Sequence, residues 1–327
     1  MRAAVHVRGG IDGIRLERVE RPEPATGEAL VRLDHAALNR HDLFVIDDRG
    51  TAERPLILGS DGHGVLEAVD GDGAPAVGDR VIINPCLGWD DPAVLPLVPE
   101  VLGDPRNGTL AEYVKVPAGN VHRAPTHLEP AAAASLGLAG MTAYRALFTQ
   151  GGLRPDAHVL IPGIGGGVAL MALIFAKRAG ARVTVTSRST AVLEHAAGYG
   201  ADQMLLHDDD WTRQRLGPID LVVDSVGSAA YGRAIELLRP GGVLVSFGAT
   251  TAPDVTLDLR DLFFRQIEIK GSSMASAPEF AAMLRFVAEH EIVPPVGRVY
   301  ALSETAAALE DLRVGRTAGK LAVEIAR

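Results

Sequence analysis

Two stretches of this chain carry residues suited to holding a dinucleotide. The first runs His158-Val-Leu-Ile-Pro-Gly163-Ile-Gly165-Gly166-Gly167-Val168-Ala169, a strand-like run, then glycines, then an apolar helix-like run. Glycines let the backbone turn sharply and approach a pyrophosphate, and the helix start behind them offers free N–H groups and a positive dipole end. The spacing departs from G-x-G-x-x-G. Counted from Gly163, the last glycine place holds Val168; counted one residue later, the three places hold Ile164, Gly166 and Ala169. An ordinary strand-to-helix turn is the competing reading, and position in the chain favours the dinucleotide, because this loop comes first in a long alternation of strands and helices. Gly163, Gly165, Gly166, Gly167 and Val168 are thus candidate phosphate-binding residues.

The second stretch lies about 20 residues further on, where an Asp or Glu would hold the ribose 2′-hydroxyl of NAD. Here the sequence is Val185-Thr186-Ser187-Arg188-Ser189, with no acid. Ser187, Arg188 and Ser189 can instead cradle a 2′-phosphate, the guanidinium giving charge and a planar fork. The expected cofactor is NADPH; the competing reading of Arg188 is a solvated side chain on a strand-end loop.

Those residues need a sheet to position them. Six strand-like runs follow Pro130: 158–161, 182–186, 203–206, 220–224, 243–247 and 267–270, with helical runs at 167–179, 191–199 and 229–238 between them. This alternation predicts a doubly wound, parallel six-stranded sheet. In such a sheet the ligand lies across the carboxyl ends of the strands, which adds Ser225 and Val226, Gly248 and Ala249, and Ser272 as cofactor-binding candidates. The chain before Pro125 reads differently. Short runs at 5–7, 29–33, 64–69 and 80–83 are bounded by Gly, Pro and Asp, with turn signals at Gly71-Asp72-Gly73 and Val77-Gly78-Asp79. They suggest a β-rich barrel or sandwich. Residues 85–108 are rich in Pro and read as a loop. A last helix, 303–312, and a last strand, 321–325, return to this first domain.

Composition narrows the field. The chain has 327 residues, 47% hydrophobic and 22% charged, and fits two globular domains. Its formal net charge of −9, without a Lys/Arg run, disfavours nucleic acid as a partner. Cys86 is the one cysteine, so neither an intrachain disulfide nor a multi-cysteine zinc site is available. The start of the chain reads as a strand, not a signal peptide, and the longest apolar stretch, Val168 to Ala176, is too short to span a bilayer. The expected location is cytoplasmic.

With its parts in order, the chain resembles the medium-chain dehydrogenase/reductase superfamily, and within it the zinc-free, NADPH-dependent quinone oxidoreductase-like branch. The motifs that carry the resemblance are Ala37-Leu-Asn39-Arg-His41-Asp42, Leu58-Gly-Ser60-Asp61-Gly-His63-Gly-Val65, Val77-Gly-Asp-Arg-Val81, Gly108-Thr-Leu-Ala-Glu-Tyr-Val114, Ala139-Gly-Met-Thr142-Ala-Tyr144, the glycine loop, Leu238-Arg-Pro-Gly-Gly242 and Gly319-Lys320. The resemblance implies an α/β protein with a GroES-like β-rich catalytic domain from residues 1–125 and 294–327 around a Rossmann NADPH-binding domain, 126–293. It also implies an active site between the two, Thr142 near the nicotinamide or its phosphates, and a homodimer formed through the Rossmann sheet edge, for which the 243–247 strand and the loop after it are the candidates.

The resemblance also allows a residue-by-residue test for metal. Zinc relatives bind catalytic zinc through a Cys in the first motif and a His-Glu pair in the second; here Asn39 and Ser60-Asp61 stand in those places. One carboxylate is not a zinc site, and no metal is expected. His63 and His41 read as structural or solvated histidines, and Cys86 as a structural thiol. Carbonyl polarisation then falls to hydrogen bonds, with Asn39 and Ser60 as candidate donors and Asp61 and Asp42 bracing them. Asn39 reads equally as a turn residue bonding its own backbone. Several zinc-free relatives carry a Tyr proton donor where Phe44 stands here, which leaves protonation to solvent. The expected function is NADPH-dependent, metal-free hydride transfer to a quinone or conjugated enone. The alternatives are a zinc-independent carbonyl or alcohol oxidoreductase, and an NADPH-binding sensor or structural protein with little catalysis.

Overall fold

A computed structural model describes residues 1–50, 54–71, 75–214, 216–315 and 317–325; Asp72 and Gly73 of the first turn signal lie outside these. The chain divides into two compact units, Met1–Met141 with Ala275–Arg327, and Thr142–Met274.

The first unit is built on the strand Glu28–Ala37. Along one side it pairs antiparallel with Asp61–Val69. Along the other it is shared: residues 28–32 pair with Tyr113–Pro117, and residues 35–37 with the last strand, Lys320–Glu324. The two ends of the chain therefore meet on one strand. Arg80–Ile83 and Val121–Arg123 extend the sheet beyond Asp61–Val69, and Val296–Ala301 lies beyond the last strand. A smaller sheet joins Ile14–Arg18, Arg2–His6 and Leu56–Ile57. Val31, Leu33, Leu66, Val81, Leu110 and Val323 are buried together in the core of this unit.

Several elements differ from expectation. Arg40–Arg49 is a helix, begun where the Asp42 carboxylate accepts the Asn39 N–H at 2.7 Å. Within the 85–108 loop, Cys86–Leu87 pairs with Glu100–Val101. Ala277–Glu289 is a helix whose first turn is closed by Glu279, which accepts from the Ser276 N–H and hydroxyl at 2.8 and 2.6 Å. Domain edges expected at 125/126 and 293/294 fall instead at 141/142 and 274/275. The reason is packing. Helix Pro130–Ala134 rests on the strands Glu28–Ala37 and Asp61–Val69. Helix 277–289 begins on the Trp89 carbonyl and sets Phe280 5.0 Å from the His122 ring.

The second unit is the expected parallel sheet of six strands, His158–Ile161, Arg182–Ser187, Gln203–Leu206, Ile219–Asp224, Leu238–Ser246 and Glu268–Gly271. In space they run third, second, first, fourth, fifth, sixth. The chain reverses direction across the sheet between the first and fourth strands, the crevice where such folds bind ligands. This order corrects one expectation. The strand carrying 243–247 lies between the fourth and sixth and is hydrogen-bonded on both sides, so it is not an edge; Glu268–Gly271 is. Among the described residues, no helix is long and apolar enough to cross a membrane.

Candidate active site

In the second unit the glycine loop is shaped for an anion. Gly163 has φ +68°, and a Cβ there would stand 2.6 Å from Val226 Cγ2, so glycine is required both by conformation and by the close approach of the 225–227 loop. The Gly163 and Ile164 N–H groups are tied to Thr186, at 3.4 and 2.9 Å. The next two glycines are open: a Cβ on Gly165 would meet nothing nearer than 3.7 Å, and on Gly166 nothing within 4 Å. Gly166 caps helix Gly167–Arg178 with no side chain on its first N–H groups. An uncapped helix start beside open space fits a phosphate.

The neighbouring loops are braced. Buried Asp224 accepts the N–H groups of Val226 and Gly227, both at 3.1 Å. Burial pushes its carboxyl up, against the pull of those two bonds. The loop after the fifth strand is laced to this one, Thr250 N and Oγ1 reaching Ser225 O at 3.0 and 2.8 Å and Thr251 N reaching Val226 O at 2.9 Å. Gly248 and Ala249 lie in that loop, and the Ser272 N–H meets Ser246 O at 2.8 Å. The hydroxyls of Thr142 and Ser272 are buried without a hydrogen-bond partner among the described residues. At the end of the second strand Ser187 is half-buried, while Arg188 and Ser189 are exposed. Ser187 Oγ accepts the Ser189 N–H at 3.1 Å.

In the first unit Asn39, Ser60 and Asp61 are joined by hydrogen bonds around a residue with no assigned role. Lys320, at the start of the last strand, is 4% exposed. Its ammonium donates to Leu38 O at 2.8 Å, to Asn39 Oδ1, and to Asp61 Oδ2 at 3.3 Å. Asn39 Nδ2 donates to Ser60 Oγ at 3.1 Å and to Asp61 Oδ2 at 2.8 Å. Asp61 Oδ1 receives the Leu138 N–H at 2.7 Å, and its carbonyl the Thr109 hydroxyl at 2.8 Å. Asp42 takes the N–H groups of Asn39 and Gly59 at 2.7 and 3.1 Å. Burial raises its carboxyl, helped by the charge of Asp61, while the Asn39 N–H, His41 and Lys320 lower it.

Counting donors shows what is left. All three Lys320 protons and both Asn39 amide protons are engaged. The Ser60 hydroxyl accepts from Asn39 and gives its own proton to no described residue. Asn39 is the N-cap of helix Arg40–Arg49, and its two amide protons go to Ser60 and Asp61, so it keeps no free side-chain proton. His63 is structural, its Nδ1 2.7 Å from Asp34 Oδ1. Cys86 is buried, and Phe44 is 60% exposed.

An alcohol dehydrogenase GroES-like domain model matches residues 25–126, and a zinc-binding dehydrogenase model matches residues 167–289. The zinc-type alcohol dehydrogenase-like protein YogA of Leptosphaeria maculans is 30% identical over 95% of this chain and 94% of its own. The chain belongs to the medium-chain dehydrogenase/reductase superfamily. The solved structure of an NAD-dependent alcohol dehydrogenase is 34% identical, spans 100% of both chains and superposes with a TM-score of 0.91. Crotonyl-CoA carboxylase/reductase AntE, solved in complex with NADP, is 26% identical over 99% of this chain and 94% of its own, with a TM-score of 0.87. This medium-chain dehydrogenase/reductase is accordingly an oxidoreductase of small molecules, with the GroES-like and Rossmann architecture of the superfamily.

Zinc, which the matched domain model carries in its name, does not suit the residues here. Asn39 supplies an amide, Ser60 a hydroxyl, and the Asp61 carboxylate already faces an ammonium. A dication placed there would stand against a buried positive charge. Among the described residues no group of three or more His, Cys, Asp or Glu can hold a metal ion. Sequence reasoning passed over Lys320 as a site residue. Its Gly-Lys motif was visible; its partner, 259 positions away, was not.

Proposed function

We propose that this oxidoreductase reduces quinones and conjugated enones with NADPH and without a metal. The observation that carries the reading is the state of the three places where zinc relatives put ligands. Two are locked by Lys320, and the third, Ser60, keeps one free proton. One hydrogen bond suits an acceptor that is already electron-poor, because only modest stabilisation of the developing oxyanion is needed. When bound, the cofactor supplies the hydride. Lys320 neutralises Asp61 and fixes the Asn39 amide, Asn39 aims Ser60, and Ser60 donates to the acceptor oxygen. Solvent completes protonation. Ser60 is fully covered in the structure, so this role requires the acceptor to open that contact as it binds.

NADPH is favoured over NADH by Ser187-Arg188-Ser189, with no acid at the strand end and no salt bridge engaging Arg188 among the described residues. A homodimer is the proposed assembly, formed along the Glu268–Gly271 edge. The helix before that edge leaves Phe263 58% and Phe264 76% exposed. An alcohol or aldehyde oxidoreductase is the second reading, favoured by the identity to an alcohol dehydrogenase along the whole chain.

The test is turnover of NADPH with a simple quinone, an enone and an aldehyde, alongside metal analysis. Quinone or enone reduction that survives chelation and falls about 10- to 100-fold in Ser60→Ala supports the proposal. Stoichiometric zinc, or turnover of the aldehyde alone, refutes it.

A further inference from the structure

Beside the Ser187-Arg188-Ser189 loop, the third strand ends in a histidine held from behind by an arginine. The His207 N–H donates to Ser187 O at 2.8 Å, which places His207 next to the expected phosphate loop. Its ring nitrogens lie 3.2 and 3.0 Å from Nη2 of Arg233, on helix Ser228–Leu237. That guanidinium is fixed independently of the ring: it donates to the carbonyls of His207 and Ala229 and lies 4.1 Å over the Trp211 ring. The charged groups facing His207 are therefore Arg233 from the helix, Arg188 from the loop after the second strand, and Asp208 beside it in the chain. Asp209 and Asp210 are turned to the Leu206 and Thr212 N–H groups. Arg188 after the second strand, His207 after the third and Arg233 on the helix thus set two guanidinium groups about one imidazole, with Asp208 as the acid acting on it.

We propose that His207 is a third member of the phosphate-recognising set with Ser187 and Arg188, so that NADPH binds with uptake of a proton and NADH does not. This rests on the NADPH reading above. Without cofactor the imidazole is neutral and accepts from Arg233. Burial and the charges of Arg233 and Arg188 hold its affinity for a proton down, Asp208 opposing them. A 2′-phosphate dianion arriving between Arg188 and His207 offsets the two cations. The ring then takes a proton from solvent and donates to the phosphate, while Arg233 keeps its carbonyls and the Trp211 face.

The sign follows from linkage. A histidine protonated more readily in the complex makes NADPH bind more tightly as pH falls. Each unit by which bound phosphate raises the ring makes the low-pH affinity about tenfold stronger. Protonation of the phosphate itself acts in the opposite sense and is common to wild type and variant.

The experiment is titration calorimetry of NADPH and NADH against wild type and His207→Gln at pH 6 and pH 8, each in two buffers of different ionisation heat. Expected with NADPH is a buffer-dependent proton uptake more positive in wild type than in His207→Gln, and no such difference with NADH; the Gln amide keeps a donor, and the fold of the variant is checked by its melting temperature. Equal proton uptake in wild type and variant overturns the inference even if NADPH is preferred. If NADPH is not preferred at either pH, the cofactor reading itself fails. Should His207→Gln fail to fold, Arg233→Met is read in its place. Removing that cation should raise proton uptake by the free histidine and shrink the NADPH-linked uptake; an unchanged uptake overturns the inference.

Discussion

Gly137 passes Asp61 so closely that a Cβ on it would stand 2.4 Å from the carboxylate Oδ1. The contact exists because Asp61 accepts the next N–H in the chain, from Leu138, at the start of helix Gly137–Tyr144. Gly137→Ala is therefore expected to push Asp61 off that N–H and tilt Asn39 and Ser60 with it. Overpacking of this kind costs about 1–3 kcal/mol. Urea unfolding should show the loss, and kcat should fall more than the stability change explains. An alanine variant of wild-type stability would show that the helix start yields freely.

Lys320 holds Asp61 and Asn39 in a site closed to water. Lys320→Met leaves Asp61 buried beside raised Asp42 with no cation between them, and is expected to destabilise by about 3–5 kcal/mol. Adding Asp61→Asn should restore much of the loss. A double-mutant cycle in urea measures the coupling; additive effects would mean that the ammonium and carboxylate do not depend on each other.

Arg188 should matter to one cofactor only. A charge-assisted hydrogen bond contributes about 1.5–3 kcal/mol, so Arg188→Ala is expected to weaken NADPH about 10- to 150-fold and to leave NADH nearly unchanged. Fluorescence titration with both cofactors checks this, and equal weakening would remove Arg188 from the phosphate site.

Asp34 gives a pH prediction. Burial pushes its carboxyl up, but hydrogen bonds and charge from His35 and His63 outweigh it and hold the group at about 2. A carboxyl depressed in the folded state stabilises the protein above its unfolded value of about 4, and that contribution is lost as pH falls toward 2. Asp34→Asn should therefore cost about 1–2 kcal/mol at neutral pH and progressively less below pH 4. Denaturant midpoints of both proteins across this range give the answer, and a difference independent of pH would contradict it.

What could be read from the chain depended on how local the cause was. The six strands of the second unit are bounded by their own Gly, Pro and Asp, so they were legible, as was the glycine loop. Helix Ala277–Glu289 left a signal in Ser276-x-x-Glu279, a capping box that was passed over. Helix Leu259–Phe264 has Asp258 at its start, accepting the N–H groups of Arg260 and Asp261. The domain edges were not legible, because Pro130–Ala134 belongs to whichever sheet it packs on, and only the folded chain shows which. The misplaced sheet edge has the same origin: chain order makes 243–247 nearly last, while spatial order sets one more strand outside it. In the candidate site the identities of Asn39, Ser60 and Asp61 were visible, but their roles turned on Lys320, brought from the far end of the chain.

The last strand, Lys320–Glu324, pairs with residues 35–37 of the long strand, and it brings Lys320 to Asp61. On the ribosome, where domains fold as units in order of synthesis, the Thr142–Met274 unit is contiguous and can be complete while the other is still waiting for its end. Until then Asp61 and the Asn39 carbonyl oxygen lack their cation. Ordering of the Asn39, Ser60 and Asp61 cluster therefore waits for the strand that carries Lys320.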